Sequence, residues 1–253
     1  MPHLAAVVID GIVRVAGAVE VWARPRAGGA MTPAWLAGAR RVVGPSLIDQ
    51  VERDHHQTDG EFRRRRVVVA ITLVAGAVLL GISLSVRPGD GVFYLLTVLV
   101  ALIWVVGALL SGPLHLGRIP LGDRLRRPIV TPIVTGLLLG AVFVAGSLVV
   151  RELEPLRELV NSVLAHARYG AVVPIVAVTV LNGVAEEVFF RGALFAAIGR
   201  RHAVLISTVI YAAATAATGN LMLVFAAFLL GLVLGLQRRA SGGILAPILT
   251  HVT

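Results

Sequence analysis

Two adjacent acidic residues, Glu186 and Glu187, lie inside a long apolar stretch of the chain. They are the only carboxylates within any of its strongly hydrophobic segments. An ionisable side chain at membrane depth costs roughly 2.5 to 3.5 kcal/mol on insertion scales, and therefore indicates a functional site with a specific partner. Arg191 follows four residues after Glu187, so the two share a helix face, with the acid on the favourable amino-terminal side. We expect an ion pair.

Glu186 projects about 100° away from Glu187 and has no charge partner on its own helix. Asn182, one turn earlier, is placed to donate a hydrogen bond to it. A carboxylate without an ionic partner suits a general base that takes a proton from water. The alternative is that both acids only pack in a helix interface, with Glu187 paired and Glu186 protonated.

Composition indicates a polytopic membrane protein. The 253 residues are 57% hydrophobic and only 15% charged, with a mean hydropathy of +0.87. All basic residues are arginine, in short clusters between apolar runs, which favours membrane orientation over nucleic-acid binding despite a formal charge of +9. The absence of cysteine excludes disulfides and thiolate metal sites. The abundant Ala, Val, Gly and Arg are typical of a GC-rich bacterial coding sequence.

The hydrophobic pattern predicts an all-α, polytopic membrane helix bundle of about seven transmembrane segments over residues 67–253. Residues 1–66 form a polar to amphipathic amino-terminal region, in which residues 4–23 are either a membrane-surface helix or a soluble one. The mixed-charge stretch 151–168 predicts an interfacial helix. The predicted segments cover about residues 67–86, 92–111, 129–150, 171–198, 203–217, 221–236 and 242–253.

Arginine placement predicts the orientation. If Arg63 to Arg66 are cytoplasmic, the clusters at 118–127, 200–201 and 238–239 fall on the same side, as the positive-inside rule requires. We therefore expect a multi-pass protein of the cell membrane with a cytoplasmic amino terminus.

Three polar residues from different segments fall at similar depths. Measured from the arginine side, Glu186 and Thr215 lie roughly 18 Å and His251 roughly 13 Å along their helices. His251 is also the only histidine deep in a membrane segment. We expect these side chains to meet in one cavity that opens towards the cytoplasm.

The stretch EEVFFRG at 186–192 resembles the EExxxR motif of the CPBP intramembrane proteases, also called the Abi or CAAX protease family. The resemblance covers about residues 170–253. The family's FxxxH motif is matched from Tyr211 to Thr215, where threonine replaces histidine, and its HxxxN or HxxxD motif begins at His251. The Asn of that motif would lie beyond Thr253, so either the natural chain is longer or it ends inside the bilayer.

This resemblance implies an intramembrane endopeptidase that acts on membrane-associated or prenylated peptides. Glu186 would activate the attacking water, His251 would bind the oxyanion or orient the water, and Arg191 would hold Glu187 charged. Further residues would contact the substrate or support these groups; they are Asn182, Phe190, Tyr211 and Thr215.

Family members are often described as metalloproteases, so the resemblance also allows a divalent metal such as zinc. Glu186 and His251 would then be its ligands. A catalytic zinc normally takes three protein ligands, and Glu187 is expected to pair with Arg191, so we favour a metal-free glutamate mechanism.

Two other functions stay open. The missing histidine at Thr215 favours a catalytically impaired relative that serves as a membrane peptide-binding, scaffold or bacteriocin-immunity protein. A proton-coupled transporter with Glu186 as the carrier is the other, although the sequence shows no inverted repeat.

Overall fold

The computed structural model describes residues 44–45, 47–51, 57–121, 123–199 and 202–253. Over these residues the chain is almost entirely helical, with one short β-hairpin. A π-helical stretch, Val188–Leu194, lies in the second half of the long helix Val172–Ile198, and a 3₁₀ turn, Ala216–Thr218, extends the helix Ala203–Thr215. The elements are α1 (Asp59–Ser85), α2 (Gly91–Ser111), β1 (Ile119–Leu121), β2 (Arg124–Arg126), α3 (Val130–Val150), α4 (Glu154–Tyr169), α5 (Val172–Ile198), α6 (Ala203–Thr215), α7 (Leu221–Ser241) and α8 (Leu245–Val252).

The predicted helical membrane bundle is confirmed. By length and composition, α1, α2, α3, α5 and α7 could each cross a membrane. The other two of the seven predicted segments correspond to shorter helices, α6 and α8. The eight residues of α8 rise about 12 Å, compared with a hydrocarbon core of about 30 Å.

Helix α1 begins eight residues before the predicted segment. The Thr58 side chain accepts a hydrogen bond from the Glu61 amide, and the Glu61 carboxylate accepts one from the Thr58 amide at 2.9 Å. This capping box starts the helix at Asp59, so the basic tract 63–66 lies in its first turns. The predicted domain boundary at residue 66 therefore falls within α1, while the predicted surface helix at 4–23 lies outside the described residues.

The predicted interfacial helix is α4. The ring of His166 packs on Phe93 at 4.7 Å, and its Nε2 lies 3.1 Å from the Val86 carbonyl oxygen. Asn220 donates from Nδ2 to the Leu159 carbonyl at 2.7 Å. Helix α4 is thus bound to Val86, which follows α1, and to Asn220, which precedes α7.

The core lies where α1, α2 and α5 meet. Trp104 is fully buried, and its ring centroid lies 4.6 Å from that of Phe189 and 5.1 Å from that of Phe190. Two glycines let α1 and α2 approach closely, because a Cβ on Gly76 would overlap Trp104 and one on Gly107 would overlap Thr72. This core fixes the middle of α5.

One end of the bundle carries the arginine clusters. Arg65 donates to the Pro113 carbonyl, Arg66 donates to the Ala197 carbonyl, and the Arg118 amide donates to the Ser241 carbonyl. These bonds connect the start of α1 with the ends of α2, α5 and α7. The described arginines of the predicted clusters therefore lie at one end, called below the arginine end. The opposite end contains α4 and the turn 216–220.

Candidate active site

The predicted ion pair is present in α5. Arg191 donates from Nη1 to Glu187 Oε1 at 2.8 Å, and both side chains are at most 1% exposed. Arg238 donates to the Arg191 carbonyl at 2.6 Å, and the Arg191 guanidinium lies 4.6 Å from the centre of the Tyr211 ring. The pair is therefore fixed by α6 and α7 as well as by α5.

Arg191 lies in the π-helical part of α5, which begins directly after Glu187. Short π-helical segments inside α-helices occur frequently at functional sites. Every residue from Phe189 to Leu194 is buried here, so this part of α5 is surrounded by protein on all sides.

His251 contacts the same carboxylate from another helix. Its Nδ1 lies 2.8 Å from Glu187 Oε1. Helix α8 is positioned by Thr250, whose hydroxyl donates to the Pro132 carbonyl at 2.9 Å. Gly183 faces the ring, and a Cβ there would lie 3.7 Å from it, at ordinary van der Waals distance. Because the carboxylate engages Nδ1, the nitrogen left for chemistry is Nε2.

Glu186 is held by a tyrosine. The Tyr211 hydroxyl donates to Glu186 Oε2 at 2.5 Å. Glu186, Tyr211, Thr215 and His251 line one cavity of about 340 Å³, so the structure brings together the three residues whose depths matched in the sequence. Tyr211 was predicted to contact the substrate or to support the catalytic groups, but its bond to Glu186 was not predicted. The signal in the sequence was the tyrosine itself, because its hydroxyl, unlike a phenylalanine ring, can donate a hydrogen bond to Glu186.

The predicted bond from Asn182 to Glu186 is wrong. The Asn182 amide donates to the Val178 carbonyl at 2.8 Å and to the Thr97 carbonyl at 3.2 Å. Its side chain therefore faces α2 and joins two helices, instead of orienting the acid.

Two further candidates support the site from its edge. Phe190 is 1% exposed and packs on the Tyr211 ring, with centroids 4.6 Å apart. Thr215 lines the cavity, and its hydroxyl donates to the Tyr211 carbonyl at 2.9 Å. Phe190 thus positions the tyrosine, and Thr215 binds its own helix.

The opening of the cavity towards the cytoplasm stays a prediction. The buried pair of Glu187 and Arg191 lies next to Glu186 on its arginine side. The remaining lining residues come from the last turns of α1, the end of α6, the first half of α7 and from α3; they are Leu80, Leu84, Phe143, Thr218, Leu223, Ala226, Ala227 and Leu230.

The donor set does not fit a three-ligand zinc site. Within the described ranges, no group of three or more His, Asp or Glu side chains is arranged to hold a metal ion. Glu187 already contacts both Arg191 and His251, and Glu186 accepts from Tyr211. A catalytic zinc normally takes three protein ligands, and these contacts leave too few free donors.

Comparison with protein families identifies the carboxy-terminal part of the chain. Residues 168–253 match the family of Rce1-like type II CAAX prenyl endopeptidases. The matched region contains α5 to α8, and with them every candidate residue predicted from the sequence. This confirms the resemblance to CAAX proteases. No curated protein and no solved structure matches the chain.

Proposed function

We propose that this chain, whose residues 168–253 form an Rce1-like domain, is an intramembrane endopeptidase that cleaves membrane-associated peptides with a glutamate-activated water. The observation that carries this proposal is the shared cavity of Glu186 and His251, which come from different helices and meet inside the bundle. A purely structural pair of acids would not need open space beside it.

Glu186 is the proposed general base. Tyr211 occupies Oε2, which leaves Oε1 for a water molecule in the cavity. Glu186 takes a proton as the water oxygen forms a bond to the peptide carbonyl carbon. When the carbon–nitrogen bond of the tetrahedral intermediate breaks, the same proton passes to the leaving nitrogen, which regenerates the carboxylate.

His251 is the proposed oxyanion donor. With Nδ1 held by Glu187, a protonated ring donates from Nε2 to the developing oxygen anion. Loss of one good oxyanion donor costs about 2.7 to 4 kcal/mol of transition-state stabilisation. In this state the charges of the four ionisable groups cancel, with Glu186 and Glu187 balancing Arg191 and His251. A neutral cluster is the least costly to keep in a medium of low dielectric constant.

A second function, peptide binding without cleavage, is favoured by one specific observation. Thr215 stands where the family has a histidine, and its hydroxyl donates to its own helix. It therefore cannot carry a proton between water and substrate. The same cavity would then hold a membrane peptide for a scaffold or immunity role.

Substitution of Glu186 by Gln tests the endopeptidase directly. We expect at least a hundredfold lower cleavage of a fluorogenic, membrane-associated peptide by the full chain in liposomes, because general base catalysis contributes about 10² to 10⁴. The matched control is Glu158→Gln on the exposed side of α4, which should cleave at the original rate. Equal cleavage rates for the two variants would contradict the proposed mechanism. A wild-type chain that binds the peptide without cutting it would establish the second function.

A further inference from the structure

We propose that Gln237 and Thr250 are positioning residues, which place His251 for the reaction by fixing the rotation of α8 about its own axis. Neither residue lines the cavity, so both act through His251 and not on the substrate. The role of His251 in the reaction rests on the proposed function. Its placement against Glu187 does not, and this placement can be measured without any cleavage.

Helix α8 is short, and its length alone does not fix its rotation. It has eight residues, which is about two turns. At its start, the amides of Ile244 and Leu245 donate to the carbonyls of His115 and Leu116 at 2.9 and 3.1 Å. These bonds hold the first turn, whereas His251 is the penultimate residue of the helix. The second turn therefore needs contacts of its own.

Thr250 supplies these contacts. Its hydroxyl accepts a hydrogen bond from Gln237 Nε2 of α7 at 2.8 Å and donates one to the Pro132 carbonyl of α3 at 2.9 Å. The side chains of Gln237 and Thr250 are both buried. One hydroxyl thus joins α8 to two other helices. Among the described residues, the other side-chain hydrogen bond from this turn to another helix is that of His251 itself.

The orientation of Thr250 determines that of His251. The two residues are neighbours in the chain, so their side chains are separated by about 100° around α8. With Thr250 turned towards α3 and α7, the ring of His251 faces α5, where its Nδ1 lies 2.8 Å from Glu187 Oε1. A rotation of α8 that broke the bonds of Thr250 would move both side chains. These bonds therefore determine where Nε2 of His251 lies in the cavity.

Helix α7 connects this turn of α8 with the buried ion pair. Arg238, the residue after Gln237, donates to the Arg191 carbonyl at 2.6 Å. Adjacent residues of α7 thus reach both partners of the Glu187 carboxylate, one through a carbonyl and the other through Thr250. A single helix therefore sets the relative position of the arginine and the histidine.

Stability alone does not account for an amide at position 237. The Oε1 atom of Gln237 is buried and accepts no hydrogen bond from the described residues. An unpaired buried carbonyl oxygen lowers the stability of the fold, whereas a leucine would avoid this cost. The amide is better explained by the bond that its Nε2 donates to Thr250.

Three variants of the full chain separate positioning from packing. Thr250→Val removes the hydroxyl, and Thr250→Ser keeps it. The double variant Gln237→Leu/Thr250→Val removes both polar partners, and replacement of both partners by apolar groups of the same shape is nearly neutral for stability. The matched control is Thr179→Val, since the exposed Thr179 hydroxyl donates to the Ile175 carbonyl of its own helix at 2.8 Å.

Cleavage of a membrane-associated fluorogenic peptide gives the first readout. We expect the double variant to unfold in detergent at the same denaturant concentration as the original chain. Its kcat should be about ten- to a hundredfold lower with KM nearly unchanged, because a misplacement of about 1 Å can cost about 10²-fold in rate. Thr250→Ser and Thr179→Val should keep the original kcat. An unchanged kcat in the double variant would overturn the proposal, and so would a loss of kcat matched by an equal loss of folded protein.

The placement of the His251 ring gives the second readout. It is followed by NMR of the full chain with isotope-labelled histidine nitrogens, in which the His251 resonances are assigned by their loss in His251→Gln. We expect Thr250→Val and the double variant to shift these resonances, because the contact between Nδ1 and Glu187 changes. Thr250→Ser and Thr179→Val should leave them in place. Unshifted resonances in the double variant would contradict the positioning role.

The two readouts distinguish this proposal from the proposed function. If the resonances shift as expected and Glu186→Gln leaves cleavage unchanged, the placement of His251 by Gln237 and Thr250 stands and the proposed mechanism fails. If Glu186→Gln abolishes cleavage and the double variant keeps both its kcat and its resonances, the mechanism stands and the positioning role fails.

Discussion

A single buried carboxylate organises the site at the scale of residues. Glu187 Oε1 contacts both Arg191 and His251, each at 2.8 Å. The sequence predicted the first contact, because a spacing of four residues places both groups on one helix face. It could not predict the second, since a contact between α5 and α8 depends on tertiary packing that no local pattern records.

Removing the arginine should destabilise the fold. Arg191→Leu would leave Glu187 buried without its cation, and breaking a buried pair in this way costs about 3 to 5 kcal/mol. The measurement is thermal or denaturant unfolding of the purified chain in detergent. The control is Arg151→Leu, which breaks an exposed pair with Glu152 and should cost less than about 1 kcal/mol. Similar losses for both variants would contradict the central role of the buried pair.

The tyrosine hydroxyl should matter for rate more than for binding. Tyr211→Phe removes the donor to Glu186 and keeps the ring between Phe190 and Arg191. A hydrogen bond to a charged group contributes about 1.5 to 3 kcal/mol, so we expect kcat to fall about ten- to a hundredfold with KM nearly unchanged. Tyr94→Phe removes a hydroxyl that accepts from the Ala171 amide and does not line the cavity, and this variant should cleave as wild type. A change in KM alone would show that Tyr211 binds substrate instead of positioning the base.

The zinc content of the purified chain tests whether Glu186, Glu187 and His251 can bind a metal ion. We expect elemental analysis of the purified chain to give less than one zinc per molecule, and a chelator to leave cleavage unchanged, because the contacts of Glu186, Glu187 and His251 do not fit three-ligand coordination. Loss of activity with the chelator, followed by recovery on addition of zinc, would contradict this prediction.

At the scale of elements, the positions and lengths of the apolar runs in the sequence predicted most helices well. The bounds of α2, α3 and α5 lie within a residue of the predicted segments. The early start of α1 was missed because its first turns are polar and charged, and the capping box at Thr58, not hydrophobicity, sets the boundary. The depths estimated along separate helices correctly placed Glu186, Thr215 and His251 at one cavity.

The close approach of α1 and α2 gives a prediction at this scale. Gly107→Ala would place a methyl group against Thr72, and overpacking of this kind costs about 1 to 3 kcal/mol. Gly140→Ala in α3 is the matched control, since a Cβ there meets no atom within 4 Å and should stabilise the helix by about 0.5 to 1 kcal/mol. Unfolding of both variants in detergent checks the opposite signs. Destabilisation by both would contradict the packing.

At the scale of the whole molecule, the region that matches the family does not include all the helices that form its core and its cavity. The matched region starts at residue 168, yet Trp104 of α2 packs on Phe189 and Phe190, and Leu80 and Leu84 of α1 line the cavity. The matched region therefore shares its core and its cavity with helices outside the match.

A split-chain experiment tests this dependence. Residues 168–253 expressed alone should be degraded, because the apolar surface that α2 covers on α5 would lack its partner. Co-expression with residues 1–167 should restore the fragment to the membrane, and quantitative immunoblotting measures both levels. A fragment that accumulates and cleaves peptide by itself would show that the matched region is self-sufficient.

Because of the π-helical stretch of α5, the number of residues in the EExxxR motif should matter as much as their types. Deleting one residue between Glu187 and Phe195 would allow a regular α-helix, but each residue of such a helix turns the chain by about 100°. A deletion before Arg191 would shorten its spacing from Glu187 from four residues to three, so the guanidinium could not keep both the acid and the tyrosine ring. Insertions and deletions within this stretch should therefore be tolerated less well than most substitutions.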